Sequence, residues 1–252
     1  MVRTLNKYPA VSGVTGLITL TDIDLAEIDV ANLNPIYWPW FDAVNGYVPD
    51  SSPRALYDRM NDAERVNLSQ ISPTDITVTT LAGGTPAIPM LSMNTILRYS
   101  ASTEGHDYSK GLTMACVVND ALGFCANSTN TGANIGLYWD GSAIIMAGKS
   151  VSSAAEDYSG PALDGDTDTV ITLRLDPEAG TMTLTVGDGY TQTLSDASFV
   201  GWTAHTALQW GVNYDGGLIG RFGYYGQVLL FADNLSDDDI GTVIDYLSVL
   251  GG

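Results

Sequence analysis

A short apolar strand that runs directly into a capped amphipathic helix constrains this chain more than any other feature. From Gly220 to Leu250 it reads GRFGYYGQVLLFADNLSDDDIGTVIDYLSVL. Gln227 to Phe231 is rich enough in large apolar residues to be a strand buried on at least one face. Ala232 to Asn234 break it. Ser236 then stands at a helix N-cap position, and Asp239 three residues later completes a capping box. Asp237, Asp238 and Asp239 fill the first turn, where the helix dipole favours negative charge. Ile240, Val243, Ile244, Leu247 and Leu250 draw one apolar stripe along the helix. The chain must therefore offer this helix an apolar surface next to a late strand.

Upstream, the pattern is strand, turn, strand. Alternating or apolar runs at Ile76 to Leu81, Met90 to Tyr99, Thr113 to Val118 and Asn134 to Trp139 predict strands. So do Ser142 to Gly148, Val170 to Leu175, Thr181 to Val186 and Ala207 to Tyr214. Gly83–Gly84 marks one turn. Asp140–Gly141 reads as a type I′ hairpin turn, and Asp176 to Gly180 as a five-residue hairpin loop. With 252 residues, 45% of them apolar, the chain can bury one substantial core. Before Ile71 the signal is weaker. Met1 to Leu33 reads as a strand-forming arm, Asn34 to Pro53 as an irregular stretch punctuated by four prolines, and Arg54 to Glu64 as a short helical turn.

The ending resembles the close of the concanavalin A-like jelly rolls, in particular their laminin-G-like branch. Tyr225, Gln227, Val228, Leu230 and Phe231 match that family's glycine-containing last strand. Leu235, Ser236, Asp239, Ile240, Tyr246 and Leu247 match the helix that follows, with Gln227 and Asp239 in place of the usual glutamates. Leu112 to Asn119 resembles an early core strand, Thr169 to Val186 a hairpin, and Ile36 to Arg59 the family's opening. The resemblance implies an all-β concanavalin A-like jelly-roll β-sandwich over residues 36–252, with an N-terminal arm over 1–35 and a short C-terminal α-helix.

Charge narrows the partners. Ten basic residues against 29 acidic ones give a net charge of −19, which repels phosphate backbones and anionic bilayers. No nucleic-acid or membrane role is expected, and no apolar run approaches the roughly 18 residues of a spanning helix. Cys116 and Cys125 are symmetric about Asp120–Ala121, so a hairpin there would set them opposite each other and allow a disulfide. Two reduced, buried thiols are the expected alternative.

Asp22, Asp24 and Glu27 match the spacing of the E-x-D-x-x-E motif of laminarinase-like glycoside hydrolases, which share the jelly-roll fold. In that family two glutamates on one strand face serve as nucleophile and general acid, with the aspartate between them tuning their protonation. Here it precedes the recognisable fold, and an acidic arm is the expected reading, with no catalytic residue assigned. His106 and His205 have no carboxylate or Cys at metal-ligand spacing. No cofactor is expected apart from Ca²⁺, for which the weak candidates are Asp140, Asp164, Asp166, Asp168 and Asp215 in turns. Sugar rings stack on exposed aromatic faces, so Trp38, Trp40, Tyr138, Trp139, Trp202 and Tyr224 are the candidate glycan- or partner-binding residues.

Stand-alone laminin-G-like chains resemble structural proteins of bacteriophage virions. That resemblance implies a non-catalytic tail, fibre or capsid-decoration component, a homo-oligomer that contacts other virion proteins and surface glycans. A glycoside hydrolase or lyase and a secreted carbohydrate-binding lectin are the alternatives.

Overall fold

A computed structural model describes residues 22–38, 55–57, 65–70, 78–80, 89–92, 97–102, 106–119, 123–128, 134–149, 156–163, 168–187, 189–210 and 224–251. Helix α1 spans Asp22–Asn32. The strands that follow are β1 Ala55–Tyr57, β2 Arg65–Gln70, β3 Val78–Thr80, β4 Pro89–Ser92 and β5 Leu97–Ser102. Next come β6 Leu112–Asn119, β7 Gly123–Ser128, β8 Asn134–Trp139, β9 Ile144–Lys149 and β10 Glu156–Ser159. The chain closes with β11 Thr169–Asp176, β12 Thr181–Val186, β13 Tyr190–Ser195, β14 Ala204–Trp210, β15 Tyr224–Phe231 and helix α2 Asp237–Gly251.

The strands form two antiparallel sheets. The larger has eight strands in the order β1-β2-β5-β14-β7-β8-β9-β10, and the smaller has seven in the order β13-β12-β11-β6-β15-β4-β3. The expected all-β sandwich is the observed architecture. Its interior follows from the two-residue side-chain period of a strand. Leu112, Met114, Cys116 and Val118 of β6 point into the sandwich, with Ile171, Leu173 and Leu175 of β11 beside them. Phe124, Ala126, Ile135, Leu137, Ile144 and Met146 from the larger sheet pack against them.

At β6 and β15 the smaller sheet is apolar on its outer face too. Ala115 and Val117 of β6 and Leu229 and Phe231 of β15 are buried there, beneath Ile240, Val243, Tyr246 and Leu247 of α2. Each large side chain buried at this seam contributes about 1.5–3 kcal/mol. Ser236 caps α2, the first half of the expected box: Asp239 N donates to Ser236 Oγ at 3.2 Å, while the Asp239 carboxylate accepts from the Ser236 hydroxyl at 2.7 Å.

The N-terminal region departs from expectation. Residues 22–32 form a helix rather than a strand-forming arm, and α1 packs against α2. Val30 is its most deeply buried contact, joined by Ala26, Ala31 and Leu33. The chain then enters the smaller sheet: Ile36 N donates to Leu230 O at 2.8 Å and Leu230 N to Tyr37 O at 3.0 Å. The helical turn expected from Arg54 is replaced at Ala55–Tyr57 by an edge strand, and Met90 to Tyr99 divides between β4 and β5 in different sheets.

Two turns are also corrected. Trp139 pairs with Ile144, and Gly141 (φ 104°) is the one residue of that loop in the positive-φ region, so the turn is not type I′. Asp176 pairs with Thr181, which leaves a four-residue loop, Pro177 to Gly180, rather than five residues. Asp176 Oδ1 accepts the amides of Glu178 and Ala179, each at 2.9 Å, and holds that loop.

Candidate functional site

Three of the aromatic candidates are core residues. Trp38 (0% exposed), Trp139 (4%) and Trp202 (1%) have no free face for a sugar ring. Trp38 packs edge-on to Tyr246 with ring centroids 5.4 Å apart, and Trp202 meets Tyr108 in the same way at 6.5 Å. Trp38 and Trp202 lie outside the strands and Trp139 ends β8, but burial depends on how the sandwich ends close over them. Tyr138 is half-buried on β8. Tyr224 opens β15, paired with Ser92 and Asn119, while Trp40 lies outside the described residues.

The two outer faces of the sandwich differ in kind. The smaller sheet's is apolar and covered by α2 over β6 and β15, and carries threonines and Ser195 on β12 and β13. On the larger sheet, strand register places polar and small residues on the outer side, opposite the inward Phe124, Leu137 and Met146. One transverse row runs Asn67, Ser100, Gln209, Cys125, Gly136, Ala147, Asp157. Tyr57 and Tyr138 occupy aromatic positions on the same side, and Arg65, Arg98 and Lys149 basic ones. Basic positions thus outnumber the acidic Asp157 on this side of a chain whose net charge is −19. Sequence reasoning missed this row. The signal was non-local, because the row spans strands far apart in the chain.

Among the described residues no three His, Cys, Asp or Glu side chains converge as metal ligands. Asp140 Oδ1 accepts the amides of Ser142 (2.7 Å) and Ala143 (2.9 Å) and the Ser142 hydroxyl (2.9 Å), so that oxygen is committed to its own turn. Asp168 is half-buried just before β11; Asp164, Asp166 and Asp215 lie outside the described residues.

The acidic motif does not form the array its spacing suggested. Helix positions two and five apart are rotated by about 200° and 140°, so Asp22, Asp24 and Glu27 do not fall on one face of α1. Glu27 is buried against the rest of the fold, which is no setting for a carboxylate that must meet a substrate.

Cys116 and Cys125 are not hairpin partners. Their strands belong to different sheets, and Cys116 is a free thiol in the sandwich interior. Burial pushes it up to about 12. His106 stands half-buried at the other end of the sandwich from Asp140, with its ring 6.4 Å from Tyr108. Burial also raises the Tyr108 phenol well above its usual range.

No family model and no curated protein matches this chain. Solved structures do. The binding domain of botulinum neurotoxin DC in complex with rat synaptotagmin II is similar at TM-score 0.55 and 11% identity, over 86% of this chain and 52% of that one. The botulinum neurotoxin serotype D ligand binding domain in complex with N-acetylneuraminic acid gives 0.55 and 10%, over 86% and 52%. The enzymatically active domain of tailspike protein 2 from bacteriophage CBA120 gives 0.51 and 14%, over 73% and 31%. The chain spans about half the length of the neurotoxin chains it matches. At such identities the likeness is one of fold: a sheet-rich sandwich.

Proposed function

We propose that this protein is a non-catalytic module that binds surface glycans on the outer face of its larger sheet, as a component of a phage virion. The observation that carries the reading is the contrast between the two outer faces. The centre of one, over β6 and β15, is apolar and sealed by α2; along the other, strand register places amide and hydroxyl residues, tyrosines and three basic positions of the described strands. Sugar hydroxyls pair with amide and hydroxyl groups, tyrosine rings give the apolar complement, and Arg and Lys accommodate a sugar carboxylate. Two kinds of relative support the same reading: a neurotoxin domain solved with N-acetylneuraminic acid, and a phage tailspike. The virion assignment rests further on the laminin-G-like resemblance of Tyr225 to Leu247. Calcium at the Asp164–Asp168 loop belongs to the same proposal and is read by calorimetric titration of the metal-free protein.

The test is a glycan array probed with the full chain. Binding that falls at least tenfold in Gln209→Ala and Tyr138→Ala, with thermal stability kept, supports the proposal. An array without any binder, or binding indifferent to both substitutions, overturns the glycan reading. Release of reducing ends from a bound glycan would replace it with a hydrolase. Failure to co-sediment with assembled particles would remove the virion context alone.

A further inference from the structure

Strand β13, Tyr190–Ser195, is the terminal strand of the smaller sheet and, among the described residues, pairs only with β12. An unpaired edge is a template for another strand, and folded proteins blunt such edges with charge, proline, bulges or extreme shortness. The other sheet ends follow that rule. β1 and β3 have three residues each, and β10 carries Glu156 and Asp157. β13 does not. Its six residues, YTQTLS, hold no charge and no proline, and its register with β12 runs without a bulge from Tyr190 to Ser195. In a chain of net charge −19, an uncharged edge of this length is where a like-charged copy can approach closely.

The direction of the free backbone groups follows from the ladder. Asp196 N donates to Gly180 O at 3.1 Å, so Gln192 and Leu194, in phase with Asp196, also face β12. Thr191, Thr193 and Ser195 turn their amides and carbonyls outward, and all three residues are exposed. The Gln192 side-chain amide reaches the Thr193 carbonyl at 3.3 Å. Thr183 and Thr193 hydroxyls lie 3.0 Å apart across the β12–β13 pair, which stiffens the edge as a flat, extended segment.

We infer that β13 is a self-association edge: two copies of this chain pair their β13 strands antiparallel about a two-fold axis at Thr193. The pairing joins two seven-stranded sheets into one continuous sheet of fourteen (7 + 7). Thr193 meets Thr193 of the second copy, and Thr191 meets Ser195, each through outward backbone groups. Asp196 then falls opposite the second copy's Tyr190, so no carboxylates are forced together. An isologous contact of this kind closes on itself and stops at a dimer.

Sedimentation equilibrium of the full chain, from roughly 1 µM to 1 mM, reads the association. The expected result is a dimer that becomes a monomer in Thr193→Pro, which deletes an outward amide and no backbone bond to β12. Thr193→Lys, which adds charge to the edge, has the same effect, and circular dichroism shows both variants folded. Thr193→Cys forms a disulfide dimer on oxidation, since bonded antiparallel pairs hold Cα atoms about 5.5 Å apart. Thr183→Cys, one strand inward, does not exceed the wild-type background. A wild-type chain that stays monomeric throughout, or a dimer untouched by both Pro and Lys, overturns the inference. The readout is independent of glycan binding.

Discussion

Leu235 has both of its backbone groups held by side chains from the smaller sheet. Its amide donates to Thr113 Oγ1 at 3.1 Å, and its carbonyl accepts from Arg174 Nη1 at 3.0 Å. Thr113 Oγ1 also donates to Asp233 O at 2.7 Å. The link between β15 and α2 is thereby pinned to β6 and β11, which fixes where the helix lies on the sheet. Thr113→Val keeps the shape and removes both bonds, leaving a buried amide without a partner. The expected cost is about 1–3 kcal/mol, read as a lower urea midpoint with unchanged slope.

Arg174 also reaches Asp237 Oδ1 at 2.7 Å, but the Asp237 side chain is 90% exposed. Solvent screens that pair, so Asp237→Asn lowers stability by less than about 1 kcal/mol. Arg174→Met loses the Leu235 bond as well and destabilises more. Equal losses in the two variants would assign the effect to the ion pair alone.

Two glycines give opposite outcomes with alanine. Gly111 sits at φ +124°, where a Cβ would stand 2.3 Å from Leu175 O and 2.9 Å from Asn234 Cβ. Gly111→Ala is expected to cost about 3 kcal/mol or more through strain and backbone displacement. Gly241 lies inside α2 with nothing within 4 Å of its added Cβ. Gly241→Ala therefore raises stability by about 0.5–1 kcal/mol, measured as a higher Tm.

Cys116 provides a pH signature. Burial raises its thiol from 9.0 to about 12, so the folded state keeps the proton after the unfolded chain has lost it. The stability this neutral thiol supplies is complete below about pH 9 and is lost as pH rises towards about 12; Tyr108 adds in the same direction. Urea midpoints from about pH 8 to about pH 11 should fall, and fall less steeply in Cys116→Ala. A native chain should also resist alkylation at Cys116 near neutral pH.

What the sequence disclosed was local. The cap of Ser236 and Asp239 and the stripe from Ile240 to Leu247 lie within one helix, and Asp176 with Thr181 closes one hairpin, so neighbours in sequence carried the signal. Partner choice between distant strands did not show. Cys116 and Cys125 looked like a hairpin because the short link after Asn119 hides a change of sheet. In α1, Asp22 to Leu25 alternates with a two-residue period, which reads as strand; docking of Val30 against the α2 cluster selects helix instead. The tryptophans stood out as large aromatics beside turn residues, but only the assembled sandwich shows that Trp38, Trp139 and Trp202 are covered.

Helices α1 and α2 lie together behind the smaller sheet, a full sandwich thickness from the outer side of the larger one. Anything tethered through either helix would stand at the molecule's back. A cargo, a support or a fluorescent label could be mounted there while the opposite side kept its view of the surroundings.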